Sequence, residues 1–376
     1  MVLAVGIMSG TSLDGIDTAL VEITGVLEKT RVKLVDFATK PYPKELLNQL
    51  HHALEAESVT VQQVSSLNFQ LALSYAAVVK ELCEQNQLTT GELAYVASHG
   101  QTLFHQPETL GDFPPSTLQL GDAGVLAQLL QCTVVSNFRE ADMAVGGQGA
   151  PIVPFADFYC YQGNKDRILQ NIGGIGNLTW IKKGGSPADV VAFDTGPGNM
   201  VINELTRHFY DEAYDHDGKH AANGQVLPEL VNHWLSLPYF AQPYPKTTGR
   251  ELFGKTFVAK IIGENFEIAP DDLIASATML TAKSITQACA QLTTEPCELI
   301  IAGGGAYNPV MMAMIRQTVD ANFIVKTQED LGFSSDAKEA IAMVILAQHT
   351  LQKIPNNVPS ATGARKPVVL GRVTWA

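Results

Sequence analysis

The stretch Val5-Gly-Ile-Met-Ser-Gly-Thr-Ser-Leu-Asp-Gly-Ile-Asp17 holds more information than any other segment of this chain. A short apolar run, Met1 to Val5, leads into Ser9, Gly10, Thr11, Ser12, Asp14, Gly15 and Asp17. Apolar alternation then resumes through Ala19, Val21 and Ile23, which predicts strand, tight glycine turn, strand. Glycine lets the backbone approach a ligand closely, and a turn of small residues aims successive N–H groups and hydroxyls at one anion. Asp14 and Asp17 add carboxylates able to hold a divalent cation beside that anion. A polyphosphate with its metal is the natural guest. In isolation a plain hairpin with a polar tip reads the same way, so residues farther along the chain must decide.

At 376 residues the chain is too long for one ordinary core, and two domains are expected. A net charge of −13 opposes binding to the phosphate backbone of nucleic acid and to anionic lipid. A nucleotide would therefore be held by local N–H groups, a metal and a few basic side chains. Five scattered cysteines without CxxC spacing support neither a disulfide framework nor a zinc site. They suit a reducing compartment, and the strand-like N-terminus lacks the basic and apolar regions of a leader, so a cytoplasmic protein is expected. No apolar run reaches membrane-spanning length; Ala340 to Ala347 reads as a short helical core segment.

Outward from the first hairpin, residues 43–87 carry apolar positions at helical spacing, and Leu93 to Ser98 reads as a strand ending at His99-Gly-Gln-Thr102. Gly111 to Pro115 is a turn, Ala123 to Leu130 a helix, and Thr133 to Ser136 a strand. Gly146-Gly-Gln-Gly-Ala-Pro151 is a glycine-rich loop before a helix. Ile168 to Ile172 runs through Gly173-Gly-Ile-Gly-Asn177 into Leu178 to Ile181, a second hairpin like the first. Val190 to Phe193 opens onto Asp194-Thr-Gly-Pro-Gly-Asn199, and Leu235 to Lys255 looks irregular. Helices are expected at 270–292, after Pro309 and at 338–352. A strand at Glu298 to Ala302 ends in Gly303-Gly-Gly305, and a last strand is expected at Pro367 to Thr374. Strands alternating with helices, each strand ending in glycine, predict an α/β architecture with ligands at the strand ends.

Gly303, Gly304 and Gly305 offer a flat backbone face for a nucleotide, although no Walker loop or dinucleotide fingerprint is present. Asp194 is the leading candidate for a general base, because a carboxylate at a strand exit can face a cleft rigidly. Its bland rival is an Asx-turn or helix N-cap. His99 and His105 flank Gln101 and Thr102, and without a third ligand they read as structural or polar-contact histidines rather than a metal site. Arg139 can pair with a carboxylate or phosphate, or simply form a surface ion pair. Lys246-Thr-Thr-Gly-Arg250 is either a substrate loop or a solvated one. Glu339 lies near a helix start, where the macrodipole alone explains a carboxylate. Ser12 and Ser98 show no Ser/His/Asp arrangement, which disfavours covalent catalysis.

Seven motifs taken in order resemble those of anhydro-N-acetylmuramic acid kinases, members of the superfamily of sugar kinases, actin and ATP-driven heat-shock chaperones. They are Gly6-Ile-Met-Ser-Gly-Thr-Ser-Leu-Asp-Gly-Ile-Asp17, Ser98-His-Gly-Gln-Thr102, Gly146-Gly-Gln-Gly-Ala-Pro151, Asn171-Ile-Gly-Gly-Ile-Gly-Asn177, Asp194-Thr-Gly-Pro-Gly-Asn199, Lys246-Thr-Thr-Gly-Arg-Glu251 and Gly303-Gly-Gly305. The resemblance runs from residue 5 to Gly371. It implies two related actin-like (ribonuclease H-like) α/β domains flanking an ATP cleft. Domain I would be residues 1–132 with 350–376, and domain II residues 133–349.

By the same resemblance, Gly10, Thr11, Ser12, Leu13, Asp14, Gly15, Ile16 and Asp17 cradle the ATP phosphates. Gly173, Gly174 and Asn177 form a second phosphate hairpin, while Gly303, Gly304 and Gly305 border the nucleoside. Asp194 matches the general base and Glu339 a second acidic residue. The sugar would meet both, together with His99, Gln101, Arg139, Gln148, Gly149 and Ala150. Magnesium, with Asp14 and Asp17 as its candidate carboxylates, is the implied cofactor beside ATP, and a homodimer the implied assembly. The family's chemistry is hydrolytic opening of a 1,6-anhydro sugar with phosphorylation of O6. Two departures stand out: Phe138-Arg-Glu-Ala-Asp142 replaces a run of arginines, and Gly176 stands where alanine is usual. The rivals are an ordinary sugar kinase and a nucleotide-switched binding protein.

Overall fold

Two glycine-tipped hairpins, each at the head of its own sheet, organise the polypeptide. The computed structural model describes every residue except Thr11, Ser12, Glu57 and Phe333. The chain divides into Met1–Cys160 with Asp336–Ala376 (unit 1) and Tyr161–Ser335 (unit 2).

In unit 1, β1 (Val2–Met8) and β2 (Ile16–Thr24) form the first hairpin, and β3 (Arg31–Lys40) extends it antiparallel. Next come β4 (Tyr95–Ser98), the separate two-stranded ribbon of β5 (Gln101–Gln106) and β6 (Ser116–Leu120), and β7 (Val134–Ser136). β4 lies parallel to β1, β7 parallel to β4, and the C-terminal strand Arg372–Thr374 closes the six-stranded sheet antiparallel to β7. The near-continuous apolar run of β1 suits a central strand, with Ala4, Val5 and Ile7 fully buried. Helix Val61–Gln85 packs on β2 and β3, and helix Lys338–Leu351 on β1, β2 and β4. The second of these is buried almost continuously from Ala340 to Ala347, and Tyr95 Oη donates to the Val344 carbonyl at 3.1 Å.

Unit 2 repeats the plan. β8 (Asp166–Ile172) and β9 (Ile175–Ile181) form the second hairpin, β10 (Val191–Pro197) adds antiparallel to β9, and β11 (Cys297–Ala302) and β12 (Phe323–Thr327) follow in parallel beyond β8. The order β10-β9-β8-β11-β12 matches β3-β2-β1-β4-β7 strand for strand, with the same parallel and antiparallel pairings. The likeness between the two hairpins in the sequence thus extends to two whole sheets. Helix Pro270–Leu292 is buried along its length and joins Ile168, Leu205, Leu299 and Ile301 in the unit 2 core. A separate core of Val5, Ile7, Leu20, Leu71, Tyr75 and Val96 holds unit 1.

The division differs from the one expected at 132/133 and 349/350. β7 is hydrogen-bonded to β4, and helix Lys338–Leu351 buries its apolar face on the unit 1 sheet, so both belong to unit 1. Glu339 goes with that helix. The last strand is also shorter than expected. Side-chain amides replace a strand partner ahead of it: Asn357 Oδ1 accepts from Val368 N at 2.7 Å and Asn356 Oδ1 from Leu370 N at 2.5 Å.

Candidate functional site

The unit 1 residues gather around the turns after β1 and β4. Thr11 and Ser12 lie outside the described residues, but their neighbours are held firmly. Ser9 Oγ and Tyr75 Oη are 2.7 Å apart, and Leu13 N donates to the Gly10 carbonyl at 3.3 Å. Leu13 adopts φ 59°, a left-handed conformation costly for a branched side chain, and its burial in the unit 1 core offsets that cost. Gln101 is fully buried; its Nε2 donates to the Gly10 carbonyl at 3.1 Å and its Oε1 accepts from Tyr42 Oη at 2.9 Å. Gln101 therefore shapes the first hairpin from beneath.

Beside the start of that ribbon, His99 and Arg139 form a fixed pair. Arg139 donates through Nε (3.1 Å) and Nη2 (2.8 Å) to His99 Nε2, which must accept because a guanidinium only donates. His99 Nδ1 then donates to the Gly100 carbonyl at 2.7 Å. Burial first, then the Arg139 charge, push the His99 pKa down to about 3, so the imidazole stays neutral. The remaining Arg139 arm donates to the Gly149 carbonyl at 2.7 Å, and Gly149 N donates to Asp142 Oδ2 at 2.9 Å. Asp142 Oδ1 in turn accepts from Asn357 Nδ2 and Thr362 Oγ1, each at 2.8 Å. The departure at 138–142 thus places a fully buried carboxylate under the glycine loop that carries Gln148, Gly149 and Ala150. Sequence reasoning misses this residue, because two of its partners, Asn357 and Thr362, lie more than 200 positions away.

Glu339 sits at the start of helix Lys338–Leu351 and reaches solvent. Protein packed around its carboxyl nevertheless raises the pKa, with Asp17 and Asp157 adding to the rise and Lys338 and Arg139 opposing it. Asp17 is raised too, chiefly by burial and further by Asp336 and Asp14, although Thr39 Oγ1 donates to its Oδ1 at 2.6 Å. Asp17 and Arg139 thus both lie within electrostatic reach of Glu339. Among the described residues, no group of three or more His, Cys, Asp or Glu is placed to hold a metal. Asp14 and Asp17 suit an ion that takes most of its ligands from phosphate and water and only one or two from protein.

The unit 2 residues converge on the second hairpin tip. The Gly173 carbonyl accepts from Asn199 N (2.7 Å), and the Gly174 carbonyl from Gly198 N (2.9 Å) and Met200 N (3.0 Å), which fastens the loop after β10 to the hairpin. Thr281 Oγ1, from the buried helix, donates to the Pro197 and Gly198 carbonyls at 3.0 and 2.9 Å. Gly303 has φ +80°, and a Cβ there would lie 2.5 Å from Asn171 Oδ1. Glycine is required at that position so that the 303–305 turn can seat on the hairpin. Asn177 pairs with both Asn171 and Asp194 across the sheet. The departure at Gly176 has a local reason, since a Cβ there would come within 2.6 Å of Thr195 Oγ1.

Asp194 sits within β10, immediately before a bulge that shifts the register between Asp194 and Gly196. Bulges re-aim side chains and are enriched beside active sites. The N-cap alternative fails: helix Met200–Tyr210 starts farther on, and the Asp194 side chain accepts instead from residues of the irregular segment. Thr247 Oγ1 at 2.7 Å and Thr248 N at 2.9 Å both donate to Oδ2. Asp194 N donates to the Lys246 carbonyl at 2.9 Å, and Tyr239 Oη donates to the Asp194 carbonyl at 2.6 Å. Despite these bonds burial raises the Asp194 pKa, and Glu251 adds to the rise. A carboxylate so held is both oriented and more basic than an exposed aspartate.

The whole chain has known relatives. The family model described as anhydro-N-acetylmuramic acid kinase matches residues 2–376. A protein of Bacillus cereus (strain AH187) named anhydro-N-acetylmuramic acid kinase is 44% identical over 375 residues, covering 98% of each chain. One of that name from Bacillus thuringiensis subsp. konkukian (strain 97-27) is 44% identical over 376 residues, covering 99% of this chain and 98% of its own. Among solved structures, component A of the (R)-2-hydroxyglutaryl-CoA dehydratase of Acidaminococcus fermentans gives a TM-score of 0.45 at 9% identity, covering 92% of this chain and 97% of that one. Among the described residues no helix is long and apolar enough to cross a membrane. The family match spans both units and every motif assembled above, and on that ground the chain is a kinase belonging to the anhydro-N-acetylmuramic acid kinase family.

Proposed function

We propose that this protein uses ATP to open the 1,6-anhydro ring of 1,6-anhydro-N-acetylmuramic acid and to phosphorylate O6, in the recycling of cell-wall peptidoglycan. The observation that carries this reading is the family match over residues 2–376. Water bonds to C1 as the C1–O6 bond breaks. The freed O6 bonds to the γ-phosphorus as the β,γ-bridging oxygen leaves with ADP. Asp194 takes the proton from the attacking water, and the products are N-acetylmuramic acid 6-phosphate and ADP.

The remaining roles divide between the units. In unit 1 the hairpin residues 10–17 meet the phosphates, while Arg139, Gln148, Gly149, Ala150 and Glu339 meet the sugar; His99 and Gln101, buried and bonded within the protein, support Arg139 and the hairpin from behind. Neutral His99 fixes the Arg139 guanidinium, whose third arm fixes the glycine loop. In unit 2, Gly173, Gly174 and Asn177 meet phosphate and 303–305 the nucleoside. Magnesium, held by ATP phosphates with Asp14 or Asp17, would neutralise charge on the phosphates when bound. Water must be admitted at C1 yet excluded from the γ-phosphate, otherwise ATP is hydrolysed. The free cysteines accord with a cytoplasmic enzyme, and the assembly in this reading is a homodimer, tested by light scattering on the eluted protein.

The test is ADP release with magnesium-ATP, comparing the anhydro sugar with open N-acetylmuramic acid. Turnover with the anhydro sugar alone is the expected result. Turnover with the open sugar alone would replace this reading with that of an ordinary hydroxyl kinase. Silence with both sugars would leave a nucleotide-switched binding protein as the better reading.

A further inference from the structure

The two donors that reach Asp194 converge on the same oxygen. Thr247 Oγ1 and Thr248 N both bond to Oδ2, and no hydrogen bond from a described residue reaches Oδ1. A carboxylate with one oxygen doubly engaged cannot rotate freely, and its other oxygen points in one direction with a lone pair open. The segment that supplies these donors is itself locked. Lys246 Nζ donates to the carbonyls of Tyr239 and Phe240, each at 3.1 Å, and stands 4.8 Å from the centre of the Tyr239 ring. Tyr239 closes the loop by donating to the Asp194 main chain, and Tyr244 stacks on the neighbouring Phe193 at 5.2 Å between ring centres. Residues 239–248 thus form a frame built around one carboxylate.

We propose that Thr247 is a positioning residue for the reaction, its hydroxyl fixing Asp194 Oδ2 so that Oδ1 is the atom that takes the proton from the attacking water. The inference rests on the reading of Asp194 as the base. Thr247 is exposed and its methyl group belongs to no core cluster, so its side chain contributes little packing beside the bond to Asp194. The β-branch restricts χ1 and keeps the hydroxyl at one place, which serine does less well. Hydrogen bonds to a carboxylate favour its charged form, so losing one raises the pKa of the acid.

The experiment compares Thr247→Val, Thr247→Ser and Asp194→Asn for kcat against pH, for the KM of ATP, and for nucleotide affinity at equilibrium. Thr247→Val should lower kcat about tenfold to a hundredfold, the size expected of a misaligned reacting group. Its acid limb should move to higher pH, with the KM and affinity for ATP unchanged. Thr247→Ser should recover kcat to within about threefold, since one hydrogen bond returns in a looser form. A valine variant with wild-type kcat and an unmoved acid limb, beside an inactive Asp194→Asn, overturns the role of Thr247 alone. Equal losses in valine and serine do the same, because shape rather than the hydroxyl would then matter. An Asp194→Asn enzyme with near-normal turnover overturns the base itself. Should valine weaken nucleotide binding through misfolding, Thr247→Ala with the serine rescue decides on the same criteria.

Discussion

Asp194 joins two properties that pull against each other. Burial raises its pKa above the ordinary 3.8, while Thr247 and Thr248 hold it in one orientation. A raised base keeps more affinity for the proton it must accept, and catalysis requires it ionised, so kcat should fall as pH drops through this raised value. The effect on stability has the opposite sense. A carboxyl whose folded pKa lies above its unfolded value binds more protons when folded, so stability is lost as pH rises through that window. Asp194→Asn removes the cost while keeping an oxygen acceptor for Oδ2's partners. The variant should therefore melt no lower than the wild type at neutral pH, bind ATP normally, and lose roughly 10²- to 10⁴-fold in turnover. Thermal unfolding and steady-state rates check the two halves. His99 contributes no limb near neutrality, since its pKa is pushed down to about 3.

Elements place these residues, and glycine sets how closely the elements approach. Gly303→Ala would force a left-handed backbone on alanine and drive its Cβ toward Asn171, at a cost of roughly 1–3 kcal/mol. Urea unfolding should show that loss, with a higher KM for ATP if the turn borders the nucleoside. Much at this scale is legible in the sequence for identifiable reasons. Helix Ala123–Leu130 has the expected bounds because Asp122 caps it, its side chain accepting from Val125 N, and because its apolar positions recur at helical spacing. The β5–β6 ribbon reads in sequence only as a strand end and a turn. Its paired Phe104 and Leu118 are both exposed, so it lacks the buried alternation that marks a strand. The frame around Asp194 is not legible, since Thr247 meets the carboxylate only through tertiary folding of an irregular segment. The family motif draws attention to that segment without revealing its partner.

Across the molecule, the repeated strand order explains why two hairpins far apart in sequence look alike. Each heads a sheet of the same plan, and each sheet has its own core. Unit 2 is one continuous segment, 161–335, whereas unit 1 needs both ends of the chain. A fragment of residues 161–335 should therefore fold cooperatively alone, as followed by circular dichroism during heating. A fragment of 1–160 should not, because it lacks helix Lys338–Leu351 and the strand Arg372–Thr374 and exposes the apolar surface of β1 and β4. A cooperative melt of the second fragment would contradict this account of the fold. For the chemistry, the most direct measurement is the mass of the product formed from the anhydro sugar and magnesium-ATP. Hydrolytic opening with O6 phosphorylation predicts a gain of one phosphoryl group and one water. A gain of the phosphoryl group alone would show an intact bridge and an ordinary hydroxyl as acceptor, and would contradict the proposed reaction.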